Sequence, residues 1–126
     1  MKNPLQRLPI VCFGILIFLF SSSLFADEWS LTRLGKTYTI DFSTSGSDSR
    51  KNLTGHYVGT TNDSKFNGTV YQNRGKTLIH FAQTDGTYVA IHSGIKINNN
   101  TYSGVWYDNS GNEGGRFTLK KGGSSL

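Results

Sequence analysis

Tyrosine and tryptophan side chains are the clearest candidates for chemistry in this sequence. Tyr38, Tyr57, Tyr102 and Trp106 alternate with polar residues and fall on the same predicted face as the apolar side chains of their strands. Aromatic walls with a few hydroxyl groups suit a pocket that holds a small ligand and orients it through those polar atoms. The alternative is that the same rings fill a plain core, where buried hydroxyls need hydrogen-bond partners.

The three histidines are the candidates for a metal site. His56, His80 and His92 each alternate out of phase with the main apolar residues of their strands, which predicts that all three point outward. Zinc needs nitrogen ligands that converge to about 2.1 Å from one ion, and no HxH or HExxH spacing brings these residues together. We therefore predict neither a metal site nor a cofactor.

No sequence motif indicates an enzyme. The 8 acidic residues fall mostly at predicted turns, where Asp makes local hydrogen bonds, and no pair of carboxylates stands out. The chain carries no GxSxG elbow, Walker motif or dinucleotide fingerprint. Its only cysteine, Cys12, lies in the apolar N-terminal segment, so the remainder has no cysteine nucleophile, zinc-thiolate site or disulfide scaffold. We predict a non-enzymatic protein.

The first 26 residues are typical of an export signal. Lys2 and Arg7 form a basic start, Leu8–Phe20 is mostly apolar, and Ala26 offers a small residue for cleavage. The apolar run of about 13 residues is short for a hydrocarbon core of ~30 Å, although an uncleaved anchor is the alternative. We predict that residues 1–26 are a signal peptide and that the product is exported to a bacterial periplasm or the medium.

The remaining residues, 27–126, are predicted to form a single domain that does not bind nucleic acid. Removing Lys2 and Arg7 leaves 11 basic residues against 8 acidic ones, a net charge of +3. These charges are dispersed, with basic pairs only at Arg50-Lys51 and Lys120-Lys121, whereas nucleic-acid sites concentrate them. Transmembrane barrel strands need about 9–11 residues and an apolar outer belt, so we predict no membrane span after signal removal.

Short alternating runs separated by turn residues predict an all-β domain. Asp85-Gly86, between two such runs, is the strongest hairpin signal, because a type I′ turn needs positive φ at both central residues. The predicted fold is an eight-stranded antiparallel up-and-down β-barrel, with a coiled β-sandwich as the alternative. The weakest strand is the first, Trp29–Leu34, without which one sheet edge would be open. The eight predicted strands span 29–34, 37–43, 53–60, 66–73, 76–83, 87–95, 101–108 and 115–120.

An internal repeat supports this layout. Segments 66–75 and 102–111 share an aromatic residue, Gly, Tyr, Asn and Gly at equal offsets, and Leu53-Thr-Gly-His-Tyr57 is a shorter third copy. Gly55, Gly68 and Gly104 lie in phase with the apolar residues around them. A glycine on a crowded inner face lets a strand coil sharply and leaves room for a neighbouring ring.

The repeated unit, an apolar residue, Ser or Thr, Gly, any residue and an aromatic, resembles the strand unit of avidin and streptavidin. Those proteins are secreted eight-stranded barrels, and lipocalin-like barrels share the general architecture. The resemblance implies a barrel of this kind over most of residues 27–126. In the family an Asn of the Leu-Thr-Gly-x-Trp-x-Asn strand contacts biotin, and Gly59 occupies that position here. The resemblance therefore implies the architecture and not biotin binding.

These patterns lead to two functional hypotheses. The first is a binding protein that holds a small molecule or short peptide at the open end of the barrel, with Tyr38, Tyr57, Tyr102 and Trp106 as wall residues. The second is a protein-interaction module, such as an inhibitor of a secreted hydrolase, that acts through two polar loops. Those loops are predicted at 44–52 and 108–115, with Arg50, Lys51, Asn109 and Asn112 as contact residues. The oligomeric state stays open.

Overall fold

The computed structural model describes residues 27–122, and within that range the chain forms eight strands and no helix. The predicted signal peptide, residues 1–26, lies outside the described residues. The described part contains no helix with the length and apolar character needed to cross a membrane. The strands are β1 (Asp27–Arg33), β2 (Lys36–Gly46), β3 (Arg50–Tyr57), β4 (Lys65–Asn73), β5 (Lys76–Thr84), β6 (Val89–Asn98), β7 (Thr101–Asp108) and β8 (Gly114–Lys121).

The sheet closes into a barrel. Each strand pairs antiparallel with the next one, and β1 pairs antiparallel with β8 over five residue pairs, from Trp29 opposite Lys121 to Arg33 opposite Phe117. The predicted eight-stranded up-and-down barrel is confirmed, and β1 is a true strand. Closure satisfies the backbone hydrogen bonds of what would otherwise be two exposed sheet edges.

The prediction of a long loop over residues 44–52 was wrong. The hairpin of β2 and β3 continues through this segment, and only residues 47–49 form the turn. Ser47 and Arg50 close it with two backbone hydrogen bonds of 3.1 and 3.2 Å. Alternation of polar Ser and Thr residues gives little apolar signal, so the sequence underestimated how far pairing extends. The segment is therefore the paired tip of a hairpin instead of a long loop.

A packed apolar cluster fills the middle of the barrel. Its aromatic centre consists of Phe42, Phe66, Phe81 and Phe117, whose neighbouring rings lie 5.5 to 6.0 Å apart in tilted or edge-to-face arrangements. An eight-stranded barrel is just wide enough for its own side chains, so these rings leave no continuous channel. The remaining buried apolar residues are Leu31, Ile40, Leu53, Ile79, Ala90, Tyr102, Trp106 and Leu119.

The glycines that the repeat placed on the inner face allow adjacent strands to approach closely. Gly104 lies directly opposite Gly94 in the pairing of β6 and β7. A Cβ atom on Gly104 would lie 1.9 Å from the Ser93 carbonyl oxygen and 2.5 Å from the Gly94 Cα. Gly68 is equally confined, since its Cβ would meet the His80 carbonyl oxygen at 1.9 Å. No side chain fits at these positions without displacing backbone.

The predicted orientation of His92 was wrong. Ala90 and His92 are fully buried on the inner face of β6, while Val89 and Ile91 lie on the outer face and are only half-buried. His92 pairs across the sheet with Phe81, and directly opposed residues share one face. The register with β5 therefore overrides the apolar alternation of the strand itself. His56 and His80 are exposed, as predicted.

The barrel has two ends that carry different residues. Strand β1 runs from Asp27 at one end to Arg33 at the other. We call the second the arginine end, and it carries the β1–β2, β3–β4, β5–β6 and β7–β8 connections. The opposite end carries the other three connections, and we call it the lysine end because Lys51, Lys96 and Lys121 line its cavity.

Replacing Gly104 with alanine tests the close approach of β6 and β7. Because the added methyl group would overlap backbone atoms, we expect Gly104→Ala to lower the free energy of unfolding by about 2 kcal/mol or more. The neighbouring Val105→Ala change, on a side chain that is 55% exposed, is the control and should cost less than about 1 kcal/mol. Urea denaturation of both variants provides the measurement. Equal stability of the two variants would contradict this close contact between β6 and β7.

Candidate functional site

A cavity lies at each end of the barrel, and the predicted wall residues divide between these two cavities. Tyr38, Tyr57 and Trp106 line the cavity at the arginine end, which has a volume of about 430 Å³. Tyr102 lines the cavity at the lysine end, of about 420 Å³. The structure therefore brings three of the four predicted residues together. Tyr88, which the sequence analysis did not single out, completes the aromatic lining at the arginine end.

Arg33 forms the polar base of the cavity at the arginine end. It is the last residue of β1, in phase with Trp29 and Leu31, and its side chain enters the barrel with only 7% of the residue exposed. The guanidinium donates hydrogen bonds to His92 Nε2 at 2.9 Å and to Gln83 Oε1 at 2.7 Å, and a longer one of 3.4 Å to the Tyr57 hydroxyl. Three other strands thus hold one cation in place.

The charge of Arg33 has no carboxylate partner among the described residues. The ion pairs within residues 27–122 join His56 to Asp41 and Lys121 to Asp27, both away from Arg33. Removing a charge from water costs several kcal/mol in a protein interior unless an opposite charge compensates it. Here neutral dipoles and aromatic faces supply part of that compensation. The guanidinium carbon lies 4.6 Å from the centre of the Trp106 ring and 5.4 Å from that of Tyr38.

Arg33 fixes the protonation state of His92. A guanidinium can only donate, so His92 Nε2 must accept with its lone pair and the proton of the neutral ring sits on Nδ1. Burial, assisted by the Arg33 charge, lowers the pKa of His92 from 6.5 to about 3, although the backbone of Phe81 and Ala90 opposes this shift. The ring stacks on Phe81 at 4.3 Å between centroids and lies nearly parallel to Trp106 at 5.9 Å.

Two nitrogen donors in this region have no acceptor within the described structure. His92 Nδ1 and Trp106 Nε1 are both buried and both lack a hydrogen-bond partner. Trp106 lines the cavity directly, and only 3% of the residue is exposed. Native interiors rarely leave buried N–H groups unpaired, and such groups are common where a ligand or water completes the site.

The hydroxyls of Tyr57 and Tyr88, at the cavity, stay protonated at neutral pH. Burial raises the pKa of Tyr57 above 10.0, although the nearby Arg33 charge acts in the opposite direction. Burial also raises the pKa of Tyr88, with Arg33 again opposing and Asp108 and Glu113 reinforcing the shift. Both side chains therefore keep a hydroxyl that can donate to a ligand as well as accept.

Acidic residues lie at the rim of the arginine end, and two of them, Asp85 and Asp108, accept hydrogen bonds within turns. Asp85 Oδ1 accepts hydrogen bonds from the backbone N–H groups of Tyr88 and Thr87, and these bonds lower its pKa below 3.8. Asp108 Oδ1 accepts from the Ser110 hydroxyl at 2.7 Å, which lowers its pKa in the same way. Glu113 is exposed at the rim of the cavity.

The cavity at the lysine end has a different character. Its floor includes Leu53, Ile79 and Leu119, and Trp29 packs against Tyr102 with 5.9 Å between the ring centroids. Burial raises the pKa of Tyr102. The cations here are lysines at the rim, of which Lys96 and Lys121 are exposed and Lys51 is half-buried. Lys121 Nζ lies 3.5 Å from Asp27 Oδ2. All three lysines are therefore more exposed than Arg33.

The predicted loop residues lie at opposite ends of the barrel. Arg50 and Lys51 begin β3 at the lysine end, whereas Asn109 and Asn112 lie in the β7–β8 connection at the arginine end. The Asn109 side chain also makes hydrogen bonds within the protein. It donates to the Thr87 carbonyl at 2.9 Å and accepts from the Val89 backbone N–H at 3.3 Å. It ties the β5–β6 and β7–β8 connections together.

Sequence reasoning missed the residues that form the polar base. Arg33 and Gln83 each follow two apolar residues at alternate positions, in Trp29-x-Leu31-x-Arg33 and Ile79-x-Phe81-x-Gln83. A polar residue in phase with the core at the end of a strand was therefore the available signal. No group of three or more His, Cys, Asp and Glu residues in the range 27–122 could hold a metal ion.

Comparison with known proteins gives no relative: no family model, curated protein or solved structure matches this chain.

The neutral state of His92 predicts a pH dependence of stability. The unfolded chain takes up a proton at His92 near pH 6.5, whereas the folded protein does so only near pH 3. The free energy of unfolding is therefore highest above pH 6.5 and should fall by about 2 kcal/mol between pH 7 and pH 5. Asp85 and Asp108 affect the pH dependence of stability only below about pH 3.8, outside this interval. Urea denaturation at several pH values measures the effect.

A His92→Phe variant, which keeps a flat ring but cannot titrate, should show little change in stability between pH 7 and pH 5. The exposed His80→Phe variant is the control and should retain the wild-type slope. A wild-type protein that is equally stable at both pH values would contradict a buried neutral His92.

Proposed function

We propose that this protein is a non-enzymatic binding protein that takes a small molecule into the cavity at the arginine end. The observation that carries the proposal is a buried guanidinium held at the base of an aromatic-walled cavity by neutral partners alone. Folded proteins rarely bury a cation without an opposite charge, and a binding site is a common reason to do so. The base is organised before any ligand arrives.

The dimensions and lining of this cavity agree with the proposal. Its volume of about 430 Å³ lies within the usual range for small-molecule sites, which are mostly apolar with a few placed polar groups. Rings of Tyr38, Tyr57, Tyr88 and Trp106 form walls, and Arg33 and Gln83 supply the polar atoms. Because each of these side chains comes from a paired strand or the short β5–β6 connection, a ligand would bind without large rearrangement.

The cellular setting belongs to the same proposal. The signal-like segment at residues 1–26 supports export, to the periplasm or the medium of a bacterium. The strand repeat that resembles avidin and lipocalin-like barrels supports an architecture used for binding, although a barrel alone does not define a ligand.

The competing hypothesis is a protein-interaction module or hydrolase inhibitor that acts through its loops. Its predicted contact residues divide between the two ends, so a partner would engage either Arg50 and Lys51 or Asn109 and Asn112. A loop partner at one end would leave the buried guanidinium unexplained. For that reason we favour the small-molecule ligand.

Native mass spectrometry of the protein isolated from the organism that makes it is the direct test. We expect a bound small molecule at one copy per chain, whose mass identifies it. Adding the released compound back to stripped protein should quench tryptophan fluorescence, because Trp106 lines the cavity. The chain has only two tryptophans, one at each end, so Trp106→Phe should remove the response and Trp29→Phe should keep it.

Two results would contradict the proposal. One is a response that depends on Trp29 and not on Trp106, which places the ligand at the lysine end. The other is an apo mass combined with a protein partner whose binding is lost in Asn112→Ala or Lys51→Ala but unaffected by Trp106→Phe. That outcome would favour the protein-interaction module.

A further inference from the structure

We infer that the group of the ligand that reaches the base of the arginine-end cavity is a carboxylate, carried on a flat aromatic body. This inference rests on the proposed function and adds the chemical class of the ligand. Three independent features support it: the uncompensated charge of Arg33, the excess of hydrogen-bond donors around it, and the ring surfaces that line the way in.

The first feature is charge. Guanidinium groups are always charged in proteins, and all three hydrogen-bond partners of Arg33 are neutral. His92, 2.9 Å away, accepts through a lone pair and carries no charge. Within residues 27–122 no carboxylate lies within ion-pair distance of the guanidinium. A ligand anion would therefore form the ion pair that Arg33 lacks within the described residues.

The second feature is the surplus of donors. A guanidinium has five N–H groups, and three hydrogen bonds leave two without an acceptor among the described residues. The indole N–H of Trp106, which lines the cavity, is also unpaired. An acceptor-only group with two oxygens matches such a site better than an alcohol or an amine, which bring donors of their own.

The third feature is the shape of the lining. Tyr38 and Tyr57 lie 5.6 Å apart between ring centroids, and Tyr57 meets Phe66 edge-on at 5.1 Å. Further in, Phe81, His92 and Trp106 stack with interplanar angles of 8° and 15°. Side chains of this kind favour a flat, unsaturated ligand, because offset and edge contacts between rings add to simple apolar burial.

The rim acids decide the orientation of the ligand and do not prevent binding. Asp85 and Glu113 line the mouth together with Lys36, so the rim carries charges of both signs in water, where they are screened. Arg33 lies deeper and is nine-tenths buried, so its interaction with an anion is stronger than any at the rim. The carboxylate should therefore enter first and the aromatic body should follow.

The two tryptophans allow each end to be observed separately. Trp106 lies against Arg33, and Trp29 lies at the lysine end, where Lys51, Lys96 and Lys121 could also attract an anion. In a nitrogen-15 correlation spectrum each indole gives one N–H signal. An acid that binds at Arg33 should move the Trp106 signal, whereas an acid attracted to the lysines should move that of Trp29.

The experiment titrates the processed protein, freed of its natural ligand, with phenylacetate and with phenylacetamide at pH 7. These probes have the same ring and differ in the charge of one group. We expect phenylacetate to move the Trp106 indole signal and to bind roughly tenfold or more tightly than the amide, since a hydrogen bond to a charged group is worth more than a neutral one. Phenylacetate should also raise the thermal unfolding temperature of the wild-type protein more than phenylacetamide does.

Substitution of Arg33 supplies the matched variants. Arg33→Met should abolish the preference for the acid, and Arg33→Lys, which keeps a charge, should retain part of it. Lys96→Met, which removes a cation at the opposite end, is the control and should keep the full preference. If Arg33→Met does not fold, the comparison of acid and amide on the wild type still decides the question.

The outcomes separate this inference from the proposed function. Equal affinity of acid and amide at Trp106 would overturn the carboxylate and leave the cavity as the binding site. A shift of Trp29 alone, or no shift with either probe, would also overturn the inference. In those cases the mass of the natural ligand and its dependence on Trp106 decide independently whether the arginine-end cavity binds anything.

Discussion

Closure between β1 and β8 is the constraint on which the rest of this structure depends. A domain of this size without disulfides must stabilise itself through its core and its backbone hydrogen bonds, and a closed sheet leaves no strand edge unpaired. Closing eight short strands requires strong coiling and close contact between neighbours. Gly94 and Gly104 meet at one such contact, where the spacing leaves no room for a Cβ atom on Gly104.

The small circumference of the barrel determines where a ligand can bind. Four phenylalanine rings fill the middle of the barrel, and the two end cavities lie beyond them, where the strands end. Polar side chains can enter the interior at these places without disrupting the apolar cluster. Arg33 ends β1, Tyr57 ends β3 and Gln83 is the second-last residue of β5, and all three meet at the same end because these strands run in the same direction.

The pair of Arg33 and His92 gives this end its electrostatic character. Their hydrogen bond of 2.9 Å can form only while His92 is neutral, because a protonated ring would place two cations in contact. The low pKa of His92 and the unsatisfied charge of Arg33 are thus two consequences of one arrangement. It keeps a single positive charge at the base of an aromatic cavity, and we propose that the ligand supplies the opposing one.

Sequence periodicity predicted eight strands, with most of their limits within two residues of those observed, and the repeat favoured a closed barrel over a coiled sandwich. The alternation in Tyr38, Ile40 and Phe42 and the Asp85-Gly86 turn are local features, and local backbone geometry decides them. Inner-face glycines were also visible, because Gly55, Gly68 and Gly104 recur at one place in a repeated unit. The orientation of β6 was not visible in the sequence. Alternation defines two faces of a strand, and only the pairing of His92 with Phe81 on β5 decides that His92 lies inside.

The site itself was decided by the tertiary structure. Tyr57, Tyr102 and Trp106 look equivalent in the sequence, yet Tyr102 lies near the start of β7 and Trp106 near its end, so they face opposite ends of the barrel. Arg33 is 59 residues from His92 and 50 from Gln83, and only closure brings them together. Local sequence carries no information about such distances, because contact between remote strands depends on how the whole sheet closes.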